Sequence, residues 1–251
     1  MSTDQLSLAG KRALVTGGSR GIGAAVAKLF AARGAHVAVT YNSSPDAANE
    51  VVDAITTAGG TAVAIQANAS DKTAVAGAVT TAVDKLGGKL DILVNNAGVF
   101  EMGTIDQISD EQFEKQIDIN IKGVWYTTKA AVEHMNDGGR IINMGSVVSE
   151  HIPFPGGSSY GMTKHAVAGL TKGWTRDLAQ RGITVNVIEP GPVDTDMNPG
   201  DGENADMMKS MVPLGRFGKA GEVAELTAFL ASPAAAYISG AHISIDGGML
   251  A

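Results

Sequence analysis

The sequence predicts an α/β fold in which helices cover both faces of a doubly wound parallel sheet of about seven strands. Short apolar segments, such as residues 13–15, 37–39 and 92–94, alternate with helical patterns along the 251 residues. These segments are apolar at consecutive positions, as expected for strands that are buried on both faces. The length suits an undivided α/β fold, so we predict a single domain over residues 1–251.

Start and stop signals delimit the helices. Ser44 is expected to cap the second helix, with Pro45 at its first position. Residues 109–112, Ser-Asp-Glu-Gln, form a capping-box pattern that opens a long helix, bent near Gly123. Gly34 and later glycine pairs end the earlier helices. The strands are predicted at 13–15, 36–41, 62–66, 91–94, 140–144, 184–188 and 241–245, and the helices at 22–33, 45–58, 71–86, 109–134, 159–180 and 221–232.

A glycine-rich turn joins the first strand to the first helix. Gly17 would form the turn, Gly21 would let a pyrophosphate approach the backbone, and Gly23 would let the helix pack closely on the strand. The free N–H groups and the positive dipole end of a helix favour an anion there. We therefore predict a dinucleotide site that also includes the turn residues Ser19 and Ile22.

The end of the second strand suggests which dinucleotide is preferred. An Asp or Glu usually binds the ribose 2′-hydroxyl of NAD at this point. Residues Tyr41, Asn42 and Ser43 provide no carboxylate, whereas Arg20 in the turn provides a guanidinium for a 2′-phosphate. We predict that NADP(H) is preferred, with NAD(H) possible.

Polar or small residues follow the next two strands, where ligands of such sheets bind. Asn68 would read the adenine edge or cap the next helix, although Ser70 is better placed for capping, and Ala69 lies beside it. The segment Asn-Asn-Ala-Gly follows the fourth strand and is typical of a tight turn. The predicted cofactor contacts in these two segments are Asn68, Ala69, Asn95, Ala97 and Gly98.

Three residues near the fifth strand form a candidate acid–base set. Ser146 follows this strand, and Tyr160 and Lys164 are spaced to share one face of a helix. A phenol with a pKa near 10 is a poor base at neutral pH, and a nearby ammonium lowers that pKa. We therefore expect Lys164 to activate Tyr160.

Taken together, these segments resemble the short-chain dehydrogenase/reductase family over essentially the whole chain. The resemblance is strongest to the 3-oxoacyl-[acyl-carrier-protein] reductases and the tetrahydroxynaphthalene reductase-like carbonyl reductases, which have a Rossmann-type fold. Asn68 departs from the family pattern, which more often has Asp. The matching residues are Thr16, Gly17, Gly21, Gly23, the segment 95–98, Asn120, Ser146, Tyr160, Lys164, Pro190, Gly191 and Thr195.

The resemblance implies a role for each catalytic residue. Ser146 would bind the substrate carbonyl, Tyr160 would protonate it, and Lys164 would bind the nicotinamide ribose. Asn120 would hold a water that links Lys164 to solvent. Both Tyr160 and Lys164 would contact the cofactor. Its carboxamide and diphosphate would be bound by Pro190, Gly191, Val193 and Thr195.

Composition excludes several functions. The net charge of −7 argues against nucleic-acid or anionic-membrane partners. No apolar run reaches the roughly 18 residues of a membrane helix, and no export signal is recognised, so we expect a cytoplasmic protein. Cysteine is absent, which excludes thiolate chemistry, and we predict no metal site. The resemblance implies a homotetramer.

The segment from about 196 to 213 is a candidate substrate lid, because it contains glycines and four methionines. A short amphipathic helix packed on the core is an equally good interpretation. His151, Ile152, Phe154 and Met197 are mostly apolar pocket candidates, which favours a hydrophobic ketone as the small-molecule substrate. The leading hypothesis is thus an NADPH-dependent ketone reductase. An NAD-linked secondary-alcohol dehydrogenase, a 3-oxoacyl-acyl-carrier-protein reductase and a non-enzymatic cofactor-binding module are the alternatives.

Overall fold

A computed structural model describes residues 3–251 and has a central sheet of seven parallel strands. The strand order is β3-β2-β1-β4-β5-β6-β9, so the direction of winding changes between β1 and β4. The predicted fold class is confirmed. The strands are β1 (Arg12–Val15), β2 (His36–Tyr41), β3 (Thr61–Gln66), β4 (Leu90–Asn95), β5 (Met135–Met144), β6 (Thr184–Pro190) and β9 (His242–Ile245), and β7 (Val193–Asp194) pairs with β8 (Gly218–Lys219) outside this sheet.

Helices cover both faces of the sheet, and each face has its own apolar core. Phe30 of α1 and Leu230 of α8 belong to one core, and Leu93 of β4 and Trp174 of α6 belong to the other. No helix among residues 3–251 is both long and apolar enough to cross a membrane. The helices are α1 (Gly21–Ala32), α2 (Pro45–Thr57), α3 (Lys72–Lys85), α4 (Asp110–Gln116), α5 (Val124–Glu133), α6 (Ser158–Asp177), α7 (Ala205–Ser210) and α8 (Ala220–Ala231).

The predicted long helix 109–134 is divided into α4, a π-helical segment (Ile117–Gly123) and α5. The predicted capping box is present, since Ser109 and Gln112 bond each other's backbone N–H groups. A Cβ atom built on Gly123 would lie 2.7 Å from the Ala69 carbonyl oxygen, so only glycine permits this close contact. A wide turn of this kind is frequent at functional sites.

Two capping predictions need correction. Ser44 lies at the N-cap of α2, with Pro45 next to it as expected, but its side chain makes no capping bond. Asp71, and not Ser70, caps α3, because its carboxylate accepts bonds from Thr73 N and Ala74 N at 2.7 and 3.1 Å. A carboxylate at a helix N-terminus also interacts favourably with the helix dipole.

Residues 196–213 contain the short helix α7 between two loops. Ala205 and Val212 are buried, whereas Met197 and Met207 are at least half exposed. The segment thus combines features of both interpretations, since a short helix is packed on the core while methionines face solvent.

Candidate active site

The carboxyl ends of the central strands bring together three predicted site segments. A Cβ atom built on Gly98, after β4, would lie 3.3 Å from Asn120 Oδ1 and 3.6 Å from Lys164 Nζ. The π-helical segment provides Asn120, and α6 provides Lys164. Asn120 and Lys164 follow Gly98 by 22 and 66 positions in the sequence, yet both lie next to it. They meet near the point between β1 and β4 where the direction of winding changes, which is where sheets of this kind bind ligands.

The glycine turn has the geometry that its sequence predicts. Gly17 and Gly21 have φ angles of 63° and 53°, which L side chains rarely adopt. A Cβ atom on Gly23 would lie 2.3 Å from the Gly17 carbonyl oxygen, so α1 approaches the turn as closely as glycine allows. Asn96 fixes the turn, because its side-chain nitrogen donates to the carbonyl oxygens of Thr16 and Gly17, both at 2.9 Å.

The start of α1 fits a bound phosphate. Arg20 is the N-cap residue, and no side chain caps the helix, so the first N–H groups remain for an anion. The position of a Cβ on Gly21 is 3.3 Å from Thr195 Cγ2, which brings the predicted diphosphate-binding segment against the turn. Ser19 and Ile22 are half-buried in this turn, and Arg20 is exposed.

The neighbouring strand ends complete this half of the site. Gly18 N donates to Thr40 O at 2.9 Å, which places the turn beside the end of β2. Asn42 and Ser43 are exposed there, and Tyr41 is half-buried. Gln66 at the end of β3 donates to the Asn42 carbonyl oxygen at 3.0 Å. The end of β2 is therefore ordered by its neighbours while its polar side chains face solvent.

Two of the asparagines predicted as cofactor contacts, Asn68 and Asn95, differ in orientation. Asn68 is exposed, and its oxygen accepts bonds from Ser70 N and Oγ at 3.1 and 2.8 Å, so its NH₂ group can face a ligand. The Asn95 side chain is buried and donates to Thr128 and Asn143, which leaves its backbone for the predicted cofactor contact.

Asn95 ends β4 on the face that is packed against helices, and the next residue along the chain emerges at the strand end. Ala97 and Gly98 follow at the strand end, next to the glycine turn and to Lys164. The Ala97 N–H donates to Thr16 Oγ1 at 3.0 Å. Sequence reasoning missed the structural role of Asn96, although its position directly after a buried strand could have indicated it.

Ser146, Tyr160 and Lys164 lie together as expected, but the electrostatics differ from the prediction. Burial raises the pKa of Tyr160 to about 12, and the nearby Ser146 hydroxyl opposes this only in part. Lys164 Nζ lies 5.5 Å from the centre of the Tyr160 ring and donates to Met144 O at 2.8 Å. Desolvation lowers the pKa of Lys164 to about 8. The expected lowering of the Tyr160 pKa by Lys164 is therefore not found, since burial dominates.

Asn120 is held rigidly within the π-helical segment. Its oxygen accepts from Val99 N at 2.8 Å, and its nitrogen donates to Val99 O and Thr163 Oγ1 at 2.9 and 3.1 Å. Thr163 in turn donates to the Tyr160 carbonyl oxygen at 2.8 Å. Asn120 thus fastens the segment after β4 to the helix that carries Tyr160 and Lys164.

The remaining predicted contacts lie between the end of β6 and the candidate lid. Pro190 ends β6, and Gly191 donates to Ile245 O at 3.0 Å. A Cβ atom on Gly191 would lie 2.8 Å from Asp246 Cα. Val193 is buried in β7, and Thr195 leads into the candidate lid.

Apolar side chains form a wall beside Tyr160. The rings of Phe100 and Tyr160 meet edge to face, with centres 4.9 Å apart. Ile152 and Phe154 both lie within 3.0 Å of a Cβ position on Gly157, and Met102 is next to Gly156. His151 is exposed. Phe100 and Met102 were missed by the sequence argument, although their place directly after the Asn-Asn-Ala-Gly segment could have revealed them.

Known proteins with similar sequences and structures cover almost the whole chain. A family model described as enoyl-(acyl carrier protein) reductase matches residues 17–250. A 3-oxoacyl-[acyl-carrier-protein] reductase from Synechocystis is 42% identical over 247 residues, covering 97% of this chain and 98% of that protein.

Two solved structures are more similar still in sequence. A short-chain dehydrogenase/reductase from Serratia marcescens is 51% identical, with a TM-score of 0.95 over 97% of this chain and 99% of that one. A short-chain dehydrogenase from Burkholderia cenocepacia, solved with NADP, is 47% identical, with the same TM-score and the same shares covered. From the site geometry and these similarities we conclude that the chain belongs to the short-chain dehydrogenase/reductase family of oxidoreductases.

Proposed function

We propose that this protein is an NADPH-dependent reductase that converts a hydrophobic ketone to a secondary alcohol. The observation that carries the proposal is the Ser146 hydroxyl near the buried Tyr160 hydroxyl, beside an apolar wall. Two neighbouring hydroxyls can both donate to one carbonyl oxygen. Such donors stabilise the negative charge that develops on this oxygen during reduction.

In the proposed mechanism the protein binds the ketone, orients its carbonyl group and protonates the carbonyl oxygen. The bound nicotinamide supplies the hydride, and the chain's residues do the rest. Ser146 orients the carbonyl, and Tyr160 donates its proton to the oxygen. Because burial raises the pKa of Tyr160 to about 12, the phenol stays protonated near neutral pH, as an acid in the reductive direction requires.

Lys164 would replace the proton that Tyr160 gives away. Its pKa of about 8 lies close to neutrality, so the ammonium can release a proton at low cost. Asn120 and Thr163 hold the backbone of this region in place. We propose that a water near Asn120 links Lys164 to solvent.

Three observations support a preference for NADPH. The end of β2 offers no carboxylate at residues 41–44, Arg20 is exposed at the N-terminus of α1, and the Burkholderia relative was solved with NADP. A carboxylate there would repel a 2′-phosphate, whereas a guanidinium attracts it. A charge-assisted bond of this kind corresponds to a preference on the order of 10- to 100-fold in kcat/KM.

Two alternatives within the family are tested by the same substrate panel. The Synechocystis relative is a 3-oxoacyl-[acyl-carrier-protein] reductase, so a β-keto thioester is one test substrate. The family model's description makes a 2-enoyl thioester another. The two neighbouring hydroxyls favour a substrate whose reacting atom is a carbonyl carbon, so we expect reduction of ketones and no reduction of the conjugated C=C bond of the 2-enoyl thioester.

The decisive experiment measures NADPH oxidation with this panel in the wild type and in Tyr160→Phe. We expect the variant to lose about 10²–10⁴-fold or more in kcat, since only the proton donor is removed. NADPH affinity, measured by fluorescence, should stay within a few-fold. A wild-type rate in Tyr160→Phe would overturn the mechanism, and no turnover of any ketone by the wild type would overturn the function.

Cofactor preference has its own test. Arg20→Ala should weaken NADPH with little effect on NADH, and Asn42→Asp should reduce or reverse the preference. Lys28→Ala, on the exposed side of the same helix, is the matched control for loss of a positive charge. Equal kcat/KM values for both cofactors in the wild type would favour the NAD-linked secondary-alcohol dehydrogenase.

We also propose a homotetramer. Apolar side chains are exposed on the two long helical elements, namely Trp125 on α5 and Met162 on α6, at 45% and 42%. Small residues such as Gly169 and Gly173 are exposed on α6 and permit a close helix contact. Light scattering should give four times the chain mass, and a stable monomer at micromolar concentration would refute this assembly.

A further inference from the structure

Three side chains of types that can bind metal ions meet behind the turn that carries Ser146. Glu150 follows the short helical turn Val147–Ser149, Glu189 lies near the end of β6, and His242 begins the edge strand β9. One donor atom from each lies within 4.8 Å of the other two. They come from distant parts of the sequence, which is why no metal-binding motif is recognisable there.

The distance within this cluster suits metal ligands better than a hydrogen bond. His242 Nδ1 lies 3.4 Å from Glu189 Oε1, which is longer than the usual N–H···O range. Donors that bind Zn²⁺ at 2.0–2.2 Å in a tetrahedral site lie about 3.3–3.6 Å apart. The two side chains therefore already have the spacing of two zinc ligands.

Glu189 lacks a permanent positive partner. It is 2% exposed, and Ser149 Oγ donates to it at 3.0 Å. Within the described residues its only salt-bridge partner is His242, which is charged only when protonated. A buried carboxylate is costly unless it is paired or coordinates a metal.

His242 is a poor source of positive charge for Glu189. Its Nε2 atom is buried and has no hydrogen-bond partner in the part of the chain that the structure describes. A charged ring and a ring that binds a metal through Nδ1 both keep a proton on Nε2, so this nitrogen does not distinguish between them, whereas a neutral ring without a metal leaves Glu189 without a counter-charge. A divalent cation bound by both carboxylates and a neutral imidazole balances the charge of the cluster.

We propose that Glu150, Glu189 and His242 bind a divalent transition-metal ion, with Zn²⁺ the best fit to one imidazole and two carboxylates. Glu150 is exposed, so the ion can enter from solvent and keep a water as its fourth ligand. The bound ion would join the Ser146 turn to β6 and β9. This site is separate from the proposed active site, so a test of metal binding does not depend on whether the proposed reaction is correct.

The test is calorimetric titration of ZnCl₂ into the full chain after removal of metal by EDTA and dialysis. We expect one ion per chain and a rise in Tm of about 5–10 °C when free Zn²⁺ is about 100 times Kd. Glu150→Gln and His242→Gln should each weaken binding on the order of 10–100-fold or more. Glu133→Gln and His36→Gln replace exposed residues elsewhere and should bind as the wild type does.

Glu150→Gln is the decisive variant, because its exposed side chain can be changed without disturbing the core. Its far-UV spectrum and metal-free Tm should match the wild type. The proposal is overturned if Zn²⁺ fails to bind, if Glu150→Gln and His242→Gln bind it with unchanged affinity, or if His36→Gln alone abolishes binding.

Discussion

Gly23→Ala tests how strictly the close approach of α1 to the glycine turn is required. A Cβ atom at this position would lie 2.3 Å from the Gly17 carbonyl oxygen and 2.5 Å from Asn96 Nδ2. Real Cβ atoms do not approach other atoms below 3.0 Å, so the carbonyl and the amide both have to move. That movement would break the two bonds by which Asn96 holds the turn.

The size of the effect follows from these contacts. Losing two hydrogen bonds costs about 1 kcal/mol each, and the forced packing costs a further ~1–3 kcal/mol. Alanine is the better helix former by ~1 kcal/mol, which offsets part of this. The free energy of unfolding should therefore fall by about 2–4 kcal/mol, and Tm by roughly 5–15 °C.

Gly77→Ala is the matched control, since Gly77 lies within α3 and a Cβ atom there would meet nothing within 4 Å. This control should gain about 0.5–1 kcal/mol from helix propensity and raise Tm slightly. Urea and thermal unfolding measure both variants, and NADPH titration should show at least tenfold weaker binding in Gly23→Ala alone. A Tm for Gly23→Ala equal to that of Gly77→Ala would refute the steric argument.

Two further predictions concern charge and capping. The buried Lys164 has its pKa lowered to about 8, so between pH 8 and about 10 the unfolded chain holds a proton that the folded chain has lost. Stability should rise with pH across that window, by up to about 3 kcal/mol, and this rise should be absent from urea titrations of Lys164→Met. Above pH 10 Tyr160, whose pKa is raised to about 12, acts in the opposite direction. Asp71→Ala should cost about 1 kcal/mol in urea unfolding, because a capping carboxylate is lost, whereas Ser44→Ala should stay within about 0.5 kcal/mol; equal losses would contradict the capping assignment.

The sequence by itself determined the fold class and most element positions. Runs such as Leu14-Val15 and Ile92-Leu93-Val94 are apolar at consecutive positions. The side chains of such a strand point to both faces of the sheet, so they are buried only if helices cover both faces. The glycine turn was equally readable, because the φ angles of Gly17 and Gly21 are local requirements of the backbone. The shared helix face of Tyr160 and Lys164 was also predictable, because it depends only on their spacing of four residues.

Only the tertiary structure decided what depends on distant segments meeting. Asn95 and Asn96 are neighbours in sequence, but the packing of helices on β4 buries one side chain and leaves the other to hold the turn. The shift of the Tyr160 pKa was predicted in the wrong direction. The sequence spacing reveals the nearby Lys164 ammonium, but it does not reveal the loss of solvent around the phenol. Glu189 and His242 lie 53 positions apart, and they meet only because β6 and β9 pair in the sheet.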